Sequence, residues 1–273
     1  MIYKLKNMLQ DILKEKQDNK FEADLIISNV LKMHKCEWIF KKNIDKKYIL
    51  KCIKLAKKRQ KGMPIQYILK DWEFYGVPIK LTKGVLIPRQ DTEKLVEVAL
   101  KIIKENDIIL ELGTGSGCIS AAIAKNIKNV KIFAVEKYFK AYCCAKKNLK
   151  NFKDTVSLIR GDVLSEKFAS KFKNINLILS NPPYLTKKDI ENMQLELKFE
   201  PKQALYGGID GLKYYRKIAK IYKNSLKENS HIMFEIPHSQ KYAVENILKY
   251  NGFSNIKTYK DLAFKYRVVL GKV

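Results

Sequence analysis

The feature that most constrains the fold is an alternation of short apolar runs and helical patterns, which begins at residue 108. The run IILEL leads into the turn GTGSG and then into the helical stretch CISAAIAKNI. Further apolar runs follow, mostly separated by amphipathic stretches: VKIFAVE, VSLIRGD, INLILS and HIMFEI. Strands that alternate with helices form parallel sheets. The final strand patterns, SNIKTYKD and KYRVVLG, lie close together, so we predict an α/β fold with a mostly parallel sheet and an antiparallel end.

The beginning of the chain has a different pattern. Apolar residues recur at three- and four-residue steps in several stretches, and neither glycine nor proline occurs before Gly62 and Pro64. This pattern predicts a small helical domain over residues 1–70. Aromatic and β-branched residues with glycine turn markers then predict a β-hairpin linker over residues 71–88, ahead of a main domain over residues 89–273.

The glycine turn is typical of a ligand-binding loop at the end of a strand. Glycine allows a sharp turn and a close approach of the backbone to a ligand. The spacing is G-x-G-x-G rather than the G-x-G-x-x-G of dinucleotide sites, and Glu111 before the turn suits a ligand with an ammonium group and no phosphate. S-adenosylmethionine is such a ligand. Glu136 and Asp162 end the next two strands, and a carboxylate at the position of Glu136 can accept hydrogen bonds from both hydroxyls of a ribose.

A second polar corner, Ser180-Asn181-Pro182-Pro183-Tyr184, follows a later strand and is expected to face the same crevice. An amide or aromatic amine is a weak nucleophile because its lone pair is delocalised. The side-chain oxygen of Asn181 and the carbonyl of Pro182 could accept its two N–H groups and favour a pyramidal nitrogen. Pro182 and Pro183 restrict the backbone, and Tyr184 could stack on the planar group. The corner therefore predicts methyl transfer to a planar nitrogen.

This chemistry needs no strong base, because a methylated nitrogen becomes acidic and can lose its proton to water. Cys118, directly after the glycine turn, has no histidine nearby in the sequence and is interpreted as a packing residue. The five cysteines are odd in number and lack C-x-x-C spacing, so we predict no disulfide framework and no metal site.

The formal charge of +26 suggests nucleic acid as a partner, but only five of the 54 basic residues are arginine. Arginine makes the bidentate contacts by which proteins read bases, whereas lysine supplies a point charge. The lysines are spread along the whole chain, so a genome-wide lysine bias explains them at least as well as a binding surface does. Neither a signal peptide nor a membrane span is expected, and the cytoplasm is the predicted location.

Along nearly its whole length the sequence resembles the release factor glutamine methyltransferases (the HemK/PrmC family). N-P-P-Y alone is shared with nucleic-acid amino-methyltransferases, so the resemblance depends on a combination of segments. They are Pro64-Ile65-Gln66-Tyr67-Ile68, Phe74-Tyr75-Gly76, Val85-Leu86-Ile87-Pro88-Arg89 with Thr92-Glu93, Ser180 to Tyr184, Glu200-Pro201, Ala204-Leu205, Gly207-Gly208, Asp210-Gly211-Leu212, and Lys260-Asp261-Leu262-Ala263 with Arg267-Val268-Val269.

The resemblance implies a Rossmann-like class I methyltransferase domain with a seven-stranded sheet and helices on both faces. It implies methyl transfer from S-adenosylmethionine, leaving S-adenosylhomocysteine, to the glutamine N5 in the Gly-Gly-Gln motif of class 1 peptide chain release factors. The helical domain would help to grip the release factor, and nucleic-acid binding is not required. The glutamine would be held by Asn181, Pro182, Pro183 and Tyr184, with Asn181, Pro182 and Tyr184 catalytic. The cofactor would be lined by Glu111, Gly113, Thr114, Gly115, Ser116, Gly117, Glu136, Asp162, Val163 and Asn181.

Four positions depart from the family pattern. Gln90 replaces a proline, Lys70 a common glycine, Pro237 the glycine of an E-I-G segment, and Val163 is aliphatic where an aromatic residue often flanks the adenine. Two other functions stay open. One is an N6-adenine or N2-guanine methyltransferase acting on nucleic acid, which the charge favours. The other is a non-catalytic ribosome-associated protein, against which the intact glycine turn argues.

Overall fold

The first 72 residues of the chain form a compact helical unit, which also includes the later segment Gln194–Phe199. The computed structural model describes all residues from 1 to 273. The helices of this unit are α1 (Ile2–Ile12), α2 (Asn19–Leu31), α3 (Lys35–Trp38), α4 (Lys46–Gln60) and α5 (Ile65–Leu69). Their apolar faces form one core, in which Leu9, Ile27 and Ala56 are fully buried. Trp38 is also buried in this core, and its indole nitrogen donates to Ser28 Oγ at 2.8 Å.

A buried ion pair ties Gln194–Phe199 to the helices of this unit. The Arg59 guanidinium donates to both carboxylate oxygens of Glu22 at 2.7–2.9 Å and lies 2.6 Å from Glu196. Beside it, Gly62 has a φ of +91°, and a Cβ atom there would lie 2.6 Å from the side chain of Leu195. Glycine is therefore needed at position 62 for both its backbone conformation and its lack of a side chain.

A β-hairpin and a helix follow. The hairpin consists of β1 (Asp71–Phe74) and β2 (Val77–Lys80), and α6 spans Gln90–Ile102. Tyr75 at the hairpin turn has a φ of +49°, and its amide donates to Glu93 Oε1 at 2.8 Å. The first turn of α6 therefore fixes the hairpin turn.

The second unit, Glu73–Met193 with Glu200–Val273, contains a seven-stranded sheet. Its strands are β3 (Ile108–Leu112), β4 (Lys131–Glu136), β5 (Val156–Arg160), β6 (Ile175–Ser180), β7 (Leu226–Glu235), β8 (Ser254–Lys260) and β9 (Tyr266–Lys272). Their order is β5-β4-β3-β6-β7-β9-β8. The first five strands in this order pair in parallel, whereas β9 pairs antiparallel with both β7 and β8. The predicted α/β class with an antiparallel end is confirmed.

Helices cover both faces of the sheet. Besides α6 they are α7 (Cys118–Asn126), α8 (Phe139–Asn148), α9 (Glu166–Ala169), α10 (Lys187–Glu191), α11 (Lys213–Tyr222) and α12 (Lys241–Tyr250). Tyr215, Ile218 and Tyr222 of α11 are spaced three and four residues apart and are fully buried against the sheet. Because β3 and β6 are covered on both faces, their sequences are nearly continuous apolar runs.

The order of the strands locates a ligand site. The chain adds β4 and β5 on one side of β3 and then returns to add β6 on the other side. In open parallel sheets, ligands bind outside the carboxyl ends of the strands where the order reverses in this way. The segments that follow β3, β4 and β6 therefore meet at one crevice. No helix of the chain has the length and apolar character needed to cross a membrane.

Candidate active site

The glycine turn after β3 requires glycine for two different reasons. Gly113, Gly115 and Gly117 have φ values of +79°, +59° and +82°, all in the left-handed region that other residues rarely adopt. A Cβ atom on Gly113 or Gly115 would meet no atom within 4 Å, so these two positions border open space. A Cβ atom on Gly117 would approach Leu149 to 3.0 Å, so this glycine allows close packing of α7 instead.

Glu111 lies beneath this turn and fastens it to α7. Its Oε2 accepts hydrogen bonds from Thr114 Oγ1 at 2.7 Å, from the Ser120 amide at 3.1 Å and from the Ser120 hydroxyl. Its Oε1 is buried without a hydrogen-bond partner. Burial raises the pKa of Glu111 to about 7, although the hydrogen bonds from Ser120 and Thr114 favour the carboxylate. The structural role that these contacts show for Glu111 is to hold the turn and the start of α7 together.

Glu136 ends β4 and reaches back to the glycine turn. Its Oε2 accepts from the Gly115 amide at 2.9 Å, and its Oε1 accepts from the Tyr138 amide at 2.7 Å. Burial raises the pKa of Glu136 above its ordinary value, and the backbone hydrogen bonds oppose that shift. The carboxylate is thereby held in one position between β3 and β4.

Asp162, after β5, is positioned by charge as well as by the backbone. Lys137 Nζ donates to its Oδ2 at 2.7 Å, and the Leu164 amide donates to its Oδ1 at 3.0 Å. Burial alone would raise the pKa of Asp162, but these hydrogen bonds and the charge of Lys137 outweigh it and hold the pKa below its ordinary value. The group is therefore an ionised acceptor at neutral pH.

The corner after β6 is attached to the first strand of the site. Ser180 Oγ donates to the Leu112 carbonyl at 2.6 Å, which joins the carboxyl ends of β6 and β3. Asn181 Nδ2 donates to Thr92 Oγ1 at 3.1 Å. Tyr184 is largely buried against the sheet core, and burial raises the pKa of its phenol to about 12. Its carbonyl accepts from Gln240 Nε2 at 3.1 Å.

A glycine-rich segment supports this corner from behind. The Leu185 amide donates to the Leu205 carbonyl at 2.9 Å, and the Gly207 amide donates to the Leu185 carbonyl at 2.8 Å. A Cβ atom on Gly207 would lie 2.6 Å from the Pro183 carbonyl oxygen, and one on Gly211 would lie 2.2 Å from that of Tyr184. Only glycine lets these two backbone segments approach so closely.

Glu200 holds together two further segments that border the site. Its buried carboxylate accepts from the Ile87 amide at 3.0 Å and pairs with the Arg89 guanidinium. Leu86 precedes Ile87 and Pro201 follows Glu200, and both lie on the wall of the cavity between these segments. The segments Val85–Arg89 and Glu200–Pro201, which are distant in sequence, therefore act together.

These elements border a cavity of about 740 Å³, a volume that includes space open to solvent. Of the residues proposed from the sequence, those on its wall are Gly113, Gly115, Glu136, Asp162, Val163, Asn181, Pro182 and Pro183. Those not on its wall are Glu111, Thr114, Ser116, Gly117 and Tyr184. The structure thus brings the glycine turn, both carboxylates and the proline corner to one space.

The wall also contains residues that the sequence analysis did not assign to the site, although Leu86, Pro201 and Ala204 belong to segments that carry the family resemblance. These residues are chiefly Leu86, Tyr138, Ala141, Pro201, Gln203, Ala204, Tyr214 and Ile218. Tyr138 follows Glu136 by two residues, and its position after the end of a strand was the one feature of the sequence that could have assigned it to the site. Cys118 is buried, and burial raises the pKa of its thiol to about 12, which agrees with the packing role expected for it.

Comparisons with known proteins agree on the class of protein. A family model described as the PrmC N-terminal domain matches residues 5–69, and one described as the methyltransferase small domain matches residues 90–205. The chain is 38% identical over 271 residues to the release factor glutamine methyltransferase of Thermodesulfovibrio yellowstonii, covering 96% of this chain and 95% of the relative. It is 37% identical over 268 residues to that of Clostridium acetobutylicum, covering 95% and 94%.

Solved structures show the fold alone, because their sequences are distant. A methyltransferase from Pyrococcus furiosus has a TM-score of 0.54 at 16% identity, covering 73% of this chain and 90% of its own. The catalytic domain of hMettl16, crystallised with MAT2A 3′UTR hairpin 6, has a TM-score of 0.57 at 13% identity, covering 80% and 81%. Both support a methyltransferase fold.

Proposed function

Since this chain belongs to the release factor glutamine methyltransferase family, we propose that it methylates the side-chain amide nitrogen of the glutamine in the Gly-Gly-Gln motif of class 1 peptide chain release factors. The observation that carries the proposal is the cavity that joins the glycine turn to Asn181, Pro182 and Pro183. It brings together the residues proposed for the cofactor and those proposed for a planar amide.

The residues present fit S-adenosylmethionine as the methyl donor. Gly113 and Gly115 leave open space at the wall, Glu136 can accept from ribose hydroxyls, and Val163 offers an apolar surface to a base. Glu111 has a buried oxygen without a partner, but this residue does not line the cavity. When bound, the sulfonium of S-adenosylmethionine supplies an electrophilic methyl group.

The proline corner would supply the acceptors for the glutamine amide. Asn181 Nδ2 donates to Thr92, so its Oδ1 is free to accept one amide proton, and the Pro182 carbonyl can accept the other. Two acceptors fixed in advance favour the pyramidal nitrogen that attack on a methyl group requires. Their rigidity comes from the two prolines and from the backing by Gly207 and Gly211.

A general base is not required for this reaction. The nitrogen becomes acidic once it carries the methyl group, and its proton can pass to water. Tyr184 keeps its proton, since the pKa of its buried phenol is about 12. Alignment of the two reactants in the cavity then makes the main contribution to the rate.

The proposal is tested by peptide mass spectrometry on a class 1 release factor after incubation with the enzyme and S-adenosylmethionine. We expect the tryptic peptide with the Gly-Gly-Gln motif to gain the mass of one methyl group, and fragmentation to locate it on the glutamine. An unmodified glutamine under conditions in which the enzyme binds S-adenosylmethionine would refute the proposed substrate.

A further inference from the structure

The proline corner is supported at both of its ends by segments that are distant in the sequence. At the first end, Asn181 Nδ2 donates to Thr92 Oγ1 at 3.1 Å, in the first turn of α6. At the other end, the Leu185 amide donates to the Leu205 carbonyl at 2.9 Å, and the Leu185 carbonyl accepts from the Gly207 amide at 2.8 Å. The position of the corner therefore depends on how these two supports are held relative to each other.

The second support is a tightly folded segment. The Ala204 amide donates to the Pro201 carbonyl at 2.9 Å, and the Tyr206 amide donates to the Lys202 carbonyl at 2.8 Å. Pro201 and Ala204 also lie on the wall of the cavity. Because the turns are closed by hydrogen bonds, a displacement of Pro201 would be passed along them to the pairing with Leu185.

Glu200, directly before this segment, joins it to the residues that lead into α6. Its Oε2 accepts from the Ile87 amide at 3.0 Å, and its Oε1 pairs with the Arg89 guanidinium. Arg89 immediately precedes α6, whose first turn contains Thr92. One carboxylate thereby connects the two supports of the proline corner.

The burial of Glu200 makes this connection stiff. Its side chain is 1% exposed, whereas that of Arg89 is 38% exposed. A buried carboxylate depends on its hydrogen-bond partners because water cannot replace them, and removal of one partner leaves its charge uncompensated. Hydrogen bonds to an ionised group are also about twice as strong as neutral ones. The two segments are therefore held at a fixed separation.

We propose that Glu200 is a positioning residue, which fixes the proline corner for methyl transfer by clamping its two supports together. This inference rests on the function proposed above. Glu200 does not line the cavity, so it acts through Ile87 and Arg89 on one side and through residues 201–207 on the other. The clamp gives a buried carboxylate outside the cavity a role in the reaction.

The test removes the clamp from each side. Glu200→Gln keeps the size of the side chain and an acceptor for the Ile87 amide, but it removes the charge that pairs with Arg89. Arg89→Met removes the same ion pair from the other side. The double variant completes a cycle, which shows whether the two side chains act as one unit.

The matched control is Asp261→Asn, in the turn between β8 and β9. Asp261 also accepts from backbone amides, those of Ala263 and Lys265 at 2.9 Å each, and pairs with Arg267 at 3.0 Å. The side chains of this pair are 10% and 12% exposed. The control therefore removes a similar carboxylate–arginine pair that lies away from the supports of the proline corner.

Two kinds of measurement are made on each protein, below the melting temperature of the least stable variant. The first comprises kcat, the KM for the release factor and the Kd for S-adenosylmethionine. The second is hydrogen exchange at the amides of Leu185 and Gly207, whose hydrogen bonds join the corner to its support. Exchange does not depend on methyl transfer, so it tests the clamp separately from the proposed function.

We expect Glu200→Gln and Arg89→Met each to lower kcat about tenfold, with the Kd for S-adenosylmethionine changed by less than about threefold. The double variant should lose about as much as the worse single variant, because both changes remove one clamp. Exchange at Leu185 and Gly207 should become about tenfold faster in all three. Asp261→Asn should match the parent in kcat and in exchange at these two amides.

The proposal is overturned if Glu200→Gln keeps the parent kcat or the parent exchange rates at Leu185 and Gly207. It is also overturned if the two single losses multiply in the double variant, if Asp261→Asn is equally impaired, or if the Kd for S-adenosylmethionine rises as much as kcat falls. A parent enzyme that binds S-adenosylmethionine but does not methylate the release factor refutes the proposed function, and the exchange rates then decide on the clamp alone.

Discussion

The contact between Gly207 and the proline corner allows a quantitative prediction. A Cβ atom on Gly207 would lie 2.6 Å from the Pro183 carbonyl oxygen, 2.7 Å from Tyr184 Cα and 2.8 Å from the Gly211 carbonyl oxygen. All three are backbone atoms, so no side chain can move aside. To reach an ordinary contact of 3.4 Å, the Pro183 oxygen would have to move by 3.4 − 2.6, or about 0.8 Å.

Such a shift is large for a preorganised site. A displacement of about 1 Å of a positioning group can cost about 100-fold in rate. We therefore expect Gly207→Ala to lower kcat by one to two orders of magnitude, roughly 10- to 100-fold. The Kd for S-adenosylmethionine should change little, because Gly207 supports the corner after β6, whereas the glycine turn proposed for the cofactor follows β3. The assay is the initial rate of methyl transfer to a release factor at saturating substrates, with calorimetry for the Kd.

Gly271→Ala is the matched control. Gly271 also lacks a positive φ, but a Cβ atom there would meet only side-chain atoms, at 3.1 Å or more, in β9. We expect this variant to keep the parent kcat. If Gly207→Ala stayed within about threefold of the parent, the proline corner would not need its glycine support, and the reasoning would be wrong.

Three further predictions test other parts of the account. Asn181→Ala should lower kcat by about 100- to 1,000-fold, because it removes a group that hydrogen-bonds in the transition state. The Kd for S-adenosylmethionine should change only modestly. A kcat within about threefold of the parent would contradict the role proposed for Asn181. Because the pKa of Glu136 is raised, S-adenosylmethionine should bind more weakly as the pH is lowered from about 8 to about 5, and calorimetry on Glu136→Gln should show a flatter dependence. Lys70→Gly should raise the free energy of unfolding by about 1 kcal/mol, because Lys70 has a φ of +63°, which glycine adopts without strain. If chemical denaturation showed no increase in this free energy, the backbone at Lys70 would not be strained.

The parts of the site that could be predicted from the sequence are those fixed by local patterns. The glycine turn and Glu136 follow apolar strands directly, and the end of a parallel strand is where a ligand site is expected. The sheet with its antiparallel end could be predicted from the same alternation of elements. The cavity contains both segments, as well as Asn181.

Other parts depend on long-range packing that leaves no local signal. Thr92 lies 89 residues before Asn181, and the two meet only because α6 packs beside β7. Tyr214 lines the cavity from the start of α11. The role of Glu111 toward a ligand's ammonium group stays a prediction, since the carboxylate lies beneath the turn and holds Thr114 and Ser120.

The packing of the segment QLELKF at Gln194–Phe199 also could not be predicted from the sequence. Nothing in its composition separates it from its neighbours, yet it packs with the helical unit. Its partner Arg59 is one of five arginines in a lysine-rich chain. A planar guanidinium can bind two carboxylates at once, which explains why arginine occupies this buried position between Glu22 and Glu196.

The central claim is that the planar nitrogen held at the proline corner belongs to a protein glutamine. The most direct measurement is transfer of label from methyl-tritiated S-adenosylmethionine to separate acceptors: a class 1 release factor, its Gly-Gly-Gln to Gly-Gly-Ala variant, and total RNA and DNA from the same cells. We predict label on the release factor that disappears in the variant. Label on nucleic acid, with none on the release factor, would contradict the account and make the +26 charge the better guide to the substrate.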